Sequence, residues 1–292
     1  MKILNFGSCN IDYVYSVDHI VNKGETIASD ALHIFSGGKG LNQSIALSKA
    51  GAEVYHAGAI GEDGFFLKNM LEESGVNTDY LYIKAELRTG NAMIQRDKKG
   101  DNCIILHGGS NKSITKKMID EVLCHFEKED LLVLQNEINE LPYLVTKAYE
   151  LGMKIALNPS PMDKEIKKIP LEYINYFVLN EIEAKALTGE TEEEKLADAL
   201  ICKFPKAEIV LTLGEKGSIY AKNDIRLEQK IYQVPVKDTT AAGDTFTGYF
   251  LASVMNGISI KESLNRASKA SAIAVSRKGA APSIPCLEEV IK

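Results

Sequence analysis

Asp238-Thr239-Thr240-Ala241-Ala242-Gly243-Asp244-Thr245-Phe246 is where the chain shows most of its chemistry and most of its fold. Small residues run directly into a helical pattern, about Gly243 to Asn256, and a second follows from Ile260 to Ser276. A helix start leaves N–H groups unpaired and carries partial positive charge, which suits a phosphate. Ala241, Ala242 and Gly243 leave the backbone bare enough for a ligand to approach. Asp244 falls in the first turn, where the plain role for an acid is a helix cap. Its pairing with a small-residue nest suits more: N–H groups stabilise phosphoryl charge while the acid orients a hydroxyl and takes its proton late in the transfer. Thr245 to Ile260 carries no charge, but it is shorter than the roughly 20 residues a bilayer requires and reads as a buried helix.

Upstream of this stretch, strands and helices alternate. Ile3–Phe6, Val54–Ala59, Leu131–Leu134, Lys154–Leu157, Phe177–Leu179 and Ile209–Leu213 read as strands. Gly40–Ala50, Phe65–Glu73, Leu141–Leu151 and Glu181–Leu187 read as helices, several stopped by glycine. The alternation predicts an α/β fold: a doubly wound, mostly parallel sheet covered on both faces. Two segments break the rhythm, about residues 12–35 and 81–106, and read as β-rich excursions that form a small second sheet over a site. The charged run Glu190–Lys195 reads as a solvated helix start. One domain over residues 1–292 fits the length.

A second glycine-rich turn, Ser36-Gly37-Gly38-Lys39-Gly40-Leu41-Asn42-Gln43, also opens a helix. Its glycines permit close backbone approach, and Asn42 offers donor and acceptor together, which suits a polyol. It is neither G-x-x-x-x-G-K-[ST] nor G-x-G-x-x-G, so a P-loop and a dinucleotide site lose their support. Asn10 and Asp12 follow the first strand, Glu137 follows Leu131–Asn136, Asn180 and Glu183 follow Phe177–Leu179, and Thr212 and Gly214 follow Ile209–Leu211. Ligands of open α/β sheets bind at the carboxyl ends of strands, so one polar cleft can gather these residues.

Composition narrows the class. Apolar residues are 45% and charged residues 25%, which excludes a disordered or low-complexity chain. The net charge of −6 argues against nucleic-acid coating and against an anionic membrane surface, while leaving room for an anionic small ligand. Five widely spaced cysteines without a C-x-x-C pair fit a reducing cytoplasm rather than a disulfide framework or zinc knuckle. Met1 to Phe6 lacks the apolar run of a signal peptide, which again points to the cytoplasm. The five scattered histidines contain no H-E-x-x-H, and no G-x-S-x-G occurs.

These residues together resemble the ribokinase family of carbohydrate kinases, the phosphofructokinase-B type. The likeness spans nearly the whole chain, from Gly7-Ser8-Cys9-Asn10-Ile11-Asp12 to Arg277-Lys278-Gly279-Ala280-Ala281-Pro282-Ser283. Two signatures carry it: Gly37-Gly38-Lys39-Gly40-Leu41-Asn42-Gln43, with Gly58, Gly61 and Asp63 downstream, and Asp238–Phe246. Asn158-Pro159-Ser160-Pro161 and Asn180-Glu181-Ile182-Glu183-Ala184 are similar too.

The resemblance implies a Rossmann-like core with a β-sheet lid whose copies clasp a homodimer. It also implies transfer of the ATP γ-phosphate to a sugar hydroxyl, with Mg²⁺ bridging the phosphates. Ribose is the first expectation for the sugar, with fructose, a sugar acid or a nucleoside as alternatives, and a non-catalytic sugar-binding regulator as a reading from another class. By resemblance, Asn10, Asp12, Gly38, Lys39, Asn42 and Glu137 hold the sugar and Asp244 is the base. Ala241, Ala242 and Gly243 form the anion hole. Asn180, Glu183, Thr212, Gly214 and Gly217 line the nucleotide site, with Ser268 near the adenine. A potassium ion is implied at Asp238, Thr240, Ala274, Arg277, Gly279 and Ser283. Thr247, where the family often has Asn, is expected beside the site rather than in it. Asn91 and Met93 are expected to shape the far side of the sugar pocket.

Overall fold

The structure, a computed structural model, describes all 292 residues. The chain runs β1 (Ile3–Phe6), β2 (Asn10–Ser16), β3 (Ala31–Gly37), α1 (Lys39–Lys49), β4 (Val54–Ile60), α2 (Phe65–Glu73) and β5 (Asn77–Ile83). There follow β6 (Gly90–Arg96), β7 (Asn102–His107), α3 (Lys116–Leu123), β8 (Leu131–Gln135), α4 (Leu141–Glu150), β9 (Lys154–Asn158), β10 (Tyr176–Asn180) and α5 (Glu181–Thr188). The C-terminal part comprises α6 (Leu196–Lys203), β11 (Glu208–Thr212), β12 (Ser218–Lys222), β13 (Ile225–Gln229), α7 (Ala242–Met255), α8 (Ile260–Val275) and α9 (Leu287–Ile291).

Nine strands form one sheet in the order β13-β12-β11-β10-β9-β8-β1-β4-β5. It is parallel from β5 to β11, and β12 and β13 add an antiparallel hairpin at one edge. Alternation along each strand sends Leu4, Phe6, Leu132, Leu134, Phe177 and Leu179 to one face and Ile3, Leu131, Val133 and Val178 to the other. Each face is sealed by helices: α3, α4, α5 and α6 on the first, α1, α2, α7 and α8 on the second. This is the doubly wound α/β sheet that the alternation predicts.

Helix α7 is buried from Asp244 to Ser253 and packs against α1 and α8. That is the buried helix expected of the uncharged stretch, except that it ends at Met255. Gly257 then turns with positive φ, and Ser259 caps α8 by accepting a hydrogen bond from the Glu262 amide. The second sheet has the order β3-β2-β6-β7. Residues 81–83, included in the second β-rich excursion, instead finish β5 in the large sheet.

Chain direction fixes where a ligand can sit. From β1 the chain moves outward through β4 and β5, returns to β8 on the other side of β1, and moves outward again. The carboxyl ends of β1 and β8 therefore flank a topological switch point, where diverging connections leave a crevice.

Candidate active site

At that switch point β1 leads into Gly7-Ser8 and β8 into Asn136-Glu137. The Ser8 hydroxyl donates to Glu137 Oε2, which also accepts the Lys39 amide at 2.9 Å. The Leu41 amide donates to the Ser8 carbonyl at 2.9 Å, so α1 begins pressed against the end of β1. Glycine is required here. Gly38 has φ of 93°, and a Cβ on it would lie 2.9 Å from the Asn10 nitrogen. A Cβ on Gly37 would come within 2.3 Å of the Asp12 carboxylate. Asn10 is buried, its Oδ1 accepting from Asn111 Nδ2 at 2.7 Å. Burial, and then the charge of Glu137, push the Asp12 carboxyl up to about 6.

Helices α1 and α7 bring the two signatures together. Asn42 Nδ2 donates to Asp244 Oδ2 at 3.0 Å and Gln43 Nε2 donates to Oδ1 at 2.9 Å. Asp244 is 8% exposed, and two of the roughly four lone-pair positions on its carboxylate are thereby filled. Asn42 Oδ1 is buried without a partner.

Ahead of α7, Ala241 adopts φ of 62°, a left-handed conformation that costs a non-glycine residue about 1 kcal/mol or more. Within the three-residue anion hole expected from sequence, the Ala242 amide is engaged by the Thr239 carbonyl at 3.2 Å. The Gly243 and Asp244 amides have no backbone partner, and a Cβ on Gly243 would meet only open space.

A cavity of about 210 Å³ opens in front of these amides. Of the expected site residues, Lys39, Asn180, Glu183, Thr212, Ala241, Ala242, Gly243 and Asp244 line it. Burial works against the Lys39 charge, but Asp244, Glu137 and Glu183 outweigh it and raise its pKa above the usual lysine value. Asn180 and Glu183 form a capping box at the start of α5. Burial pushes the Glu183 carboxyl above the usual range, against the pull of the Asn180 amide, Ser160 and Lys39.

Other expectations fare differently. Thr247 is in the site, not beside it: it lines the cavity, with its hydroxyl donating to the Gly243 carbonyl at 2.8 Å. Asn91 and Met93 pair with Ile11 and Tyr13, whereas Asp12 pairs with Ala92 and Phe35. Strand residues paired directly opposite share a face, so Asn91 and Met93 lie on the face of the small sheet away from Asp12, and Ala92 takes the neighbouring position.

Gly214, Gly217 and Ser268 lie outside the cavity. A Cβ on Gly217 would lie 2.1 Å from the Gln229 carbonyl, so packing against β13 accounts for that glycine, and the Ser268 hydroxyl donates to the Lys230 carbonyl at 3.0 Å. Asp238 gathers Thr240 and Gly279: Oδ1 accepts the Thr240 amide (2.9 Å) and hydroxyl (2.6 Å), and Oδ2 accepts the Gly279 amide at 3.0 Å. Burial opposes ionisation of Asp238, but these bonds prevail and hold its carboxyl below the usual range. The Arg277 guanidinium turns to Glu289 on α9 at 2.5 Å, and the buried Ser283 hydroxyl donates to the Ala280 carbonyl at 2.7 Å. The Ala274 carbonyl accepts the Arg277 amide at 3.0 Å.

Sequence reasoning left several polar residues at this end of the sheet without a role: Ser8, Gln43, Asn111, Asn158, Ser160 and Thr239. Ser8, Gln43, Asn158, Ser160 and Thr239 stood inside quoted motifs, which was the available signal. Asn111 had none.

The family model described as pfkB family carbohydrate kinase matches residues 1–286. A ribokinase of Haemophilus influenzae is 33% identical over 294 residues, spanning 98% of this chain and 96% of its own length. Ribokinase of Arabidopsis thaliana, solved with ribose and ATP, matches with a TM-score of 0.89 at 28% identity, covering 99% of this chain and 97% of its own. Ribokinase of Cryptococcus neoformans, solved with ADP, gives a TM-score of 0.86 at 34% identity, covering 99% and 98%.

Proposed function

The chain belongs to the pfkB family of carbohydrate kinases and is an ATP-dependent sugar kinase, and on that premise we propose that its substrate is D-ribose and its products are ADP and ribose 5-phosphate. The observation that carries the chemistry is the Asp244 carboxylate, fixed by Asn42 and Gln43 beside the open amides of α7. Asp244 orients the sugar hydroxyl and accepts its proton as that oxygen bonds to the γ-phosphorus and the β,γ-bridging bond breaks to release ADP. The Gly243 and Asp244 amides and the Lys39 ammonium meet the charge on the transferring group. Asn10, Asp12, Glu137 and the unpartnered Asn42 Oδ1 supply hydrogen-bonding partners for the other hydroxyls, which supports a polyol as small as a pentose.

The same proposal takes residues 1–292 as one kinase unit and the small sheet as its lid. Glu183 on the cavity wall would face a Mg²⁺ ion, which would supply neutralisation of phosphate charge. A potassium ion fits the ionised Asp238 with backbone carbonyls of Thr240, Ala274 and Gly279, an all-oxygen donor set suited to a weakly hydrated cation. Exposed Ile34, Met93 and Ile105, together on the lid face away from Asp12, support a homodimer through the lids. Five free cysteines fit a reducing cytoplasm, and no helix is long and apolar enough to cross a membrane. An intact Asp244 disfavours the non-catalytic regulator.

Asp244→Asn is the direct test. Turnover should fall by about 10²–10⁴ while sugar and ATP binding are kept. Substantial residual turnover removes Asp244 from this role.

A further inference from the structure

Behind Asp244 lies a chain of polar side chains that never reaches solvent. Gln43 Oε1, on the far side of the amide that holds Asp244, accepts from Gln135 Nε2 at 2.7 Å. Gln135 Nε2 also donates to Asn5 Oδ1 at 3.0 Å, and Asn5 Nδ2 donates to Ser44 Oγ at 2.8 Å and to the Gly40 carbonyl at 2.7 Å. Ser44 Oγ lies 2.8 Å from His56 Nδ1, and His56 Nε2 lies 3.4 Å from Cys9 Sγ. Asn5, Gln43, Ser44, His56 and Gln135 are all fully buried. They sit between α1 and the sheet, in a layer that its neighbours fill with apolar side chains.

Polar groups in such a place are costly unless they are paired. Gln135 Oε1 alone among these side-chain atoms is left without a partner, and the pairing of the rest has one sense. An ionised Asp244 only accepts, so the Gln43 amide must turn its NH₂ toward it. Gln43 Oε1 then faces Gln135, which must donate. Gln135 in turn donates to Asn5, and Asn5 to Ser44. Ser44 Oγ accepts from Asn5, and its one proton is used when the hydroxyl donates to Nδ1 of a neutral His56, whose pKa burial lowers to about 4.

We propose that Gln43 is a positioning residue for the Asp244 carboxylate, and that Gln135 locks the Gln43 amide in its donating orientation. This deepens the assignment of Asp244 as base and rests on it. Neither glutamine needs to touch substrate. Their effect on turnover passes through the aim of the carboxylate, where a misplacement of about 1 Å can cost 10²-fold.

The experiment is a double-mutant cycle on the full chain: Gln43→Met, Gln135→Met, the pair, and Gln43→Met on an Asp244→Asn background. Steady-state turnover is read with ATP and whichever sugar is phosphorylated fastest, well below each variant's Tm. Gln43→Met should lower kcat about 10- to 100-fold with both KM values within about 3-fold, Gln135→Met should lower it in the same manner, and the pair should be no slower than Gln43→Met within about 2-fold. On the Asp244→Asn background the Gln43 change should add nothing. A lowered Tm with unchanged kcat, or kcat losses that multiply in the pair, overturns the proposal. If Gln43→Met does not fold, Gln135→Met carries the test alone: reduced kcat at constant KM supports it, and unchanged kcat overturns it. Full turnover by Asp244→Asn would instead bring down the assignment of the base and the positioning role with it, whereas an inactive Asp244→Asn beside a normal Gln43→Met brings down the positioning role only.

Discussion

Asp12, proposed to hold the sugar, is kept in place at the expense of stability. Its pKa in the folded chain is about 6, raised by burial first and by Glu137 second, against about 3.9 for an unperturbed aspartate. Between about pH 4 and 6 the folded state therefore holds a proton that the unfolded chain has lost, and stability falls as pH rises through that window. Asp12→Asn should then be more stable than the parent at pH 7 by about 3 kcal/mol, and this advantage should shrink toward pH 4 while sugar affinity drops. Urea unfolding of both chains at pH 4, 5, 6 and 7 tests this, and a stability difference that ignores pH contradicts it. Residues of this kind were legible where chemistry and motif coincided. Asp244 was visible as an acid opening a helix after small residues, and Lys39 and Asn42 as polar groups on a glycine-rich turn. Gln43 stood in the same motif without a role, because its partner Gln135 is distant in sequence and reads as the end of an apolar strand. Asn91 and Met93 were placed on the wrong side because only strand register reveals which residues share a face with Asp12.

At the scale of elements, the strands and helices around the site follow from apolar periodicity and glycine stops, and their ends shift by a residue or two. The β12–β13 hairpin escaped notice. Its strands mix Ser, Lys, Arg and Glu with apolar residues, as suits the exposed edge of a sheet, and Asn223 supplies the positive φ of its turn. Helix α3 was missed too, since its apolar residues Met118, Ile119, Val122 and Leu123 are interrupted by charges on the solvent side. Two elements make separate predictions. Asn180 caps α5 by accepting the Glu183 amide at 2.9 Å, so Asn180→Ala should cost about 1 kcal/mol in urea unfolding, and no change would show that the cap is idle. Strand β7 is exposed throughout and lies at the edge of the small sheet, with Ile105 at 61% exposure. If the lids clasp, Ile105→Asp should convert a dimer to a monomer in sedimentation velocity. A parent chain that already sediments as a monomer contradicts the clasp.

Across the whole molecule, the site is a consequence of winding order. Ser8, Asn10 and Asp12, then Gly38 to Gln43, then Glu137, Asn180 and Glu183, then Ala241 to Thr247, come from segments far apart in sequence. They meet because β1 sits where the sheet reverses direction. The sequence pattern pointed to a polar cleft at the strand ends, but it showed neither the Ala242 amide bonded to the Thr239 carbonyl nor Thr247 on the cavity wall. The most direct test of substrate and chemistry together is ATP turnover over a panel of sugars and nucleosides, with and without potassium, for the parent chain and Asp244→Asn. Ribose should be phosphorylated fastest, potassium should raise the rate, and Asp244→Asn should lower it by about 10²–10⁴. No turnover of ribose alongside rapid turnover of a hexose or a nucleoside would contradict the proposed role of Asn10, Asp12, Asn42 and Glu137 in holding ribose.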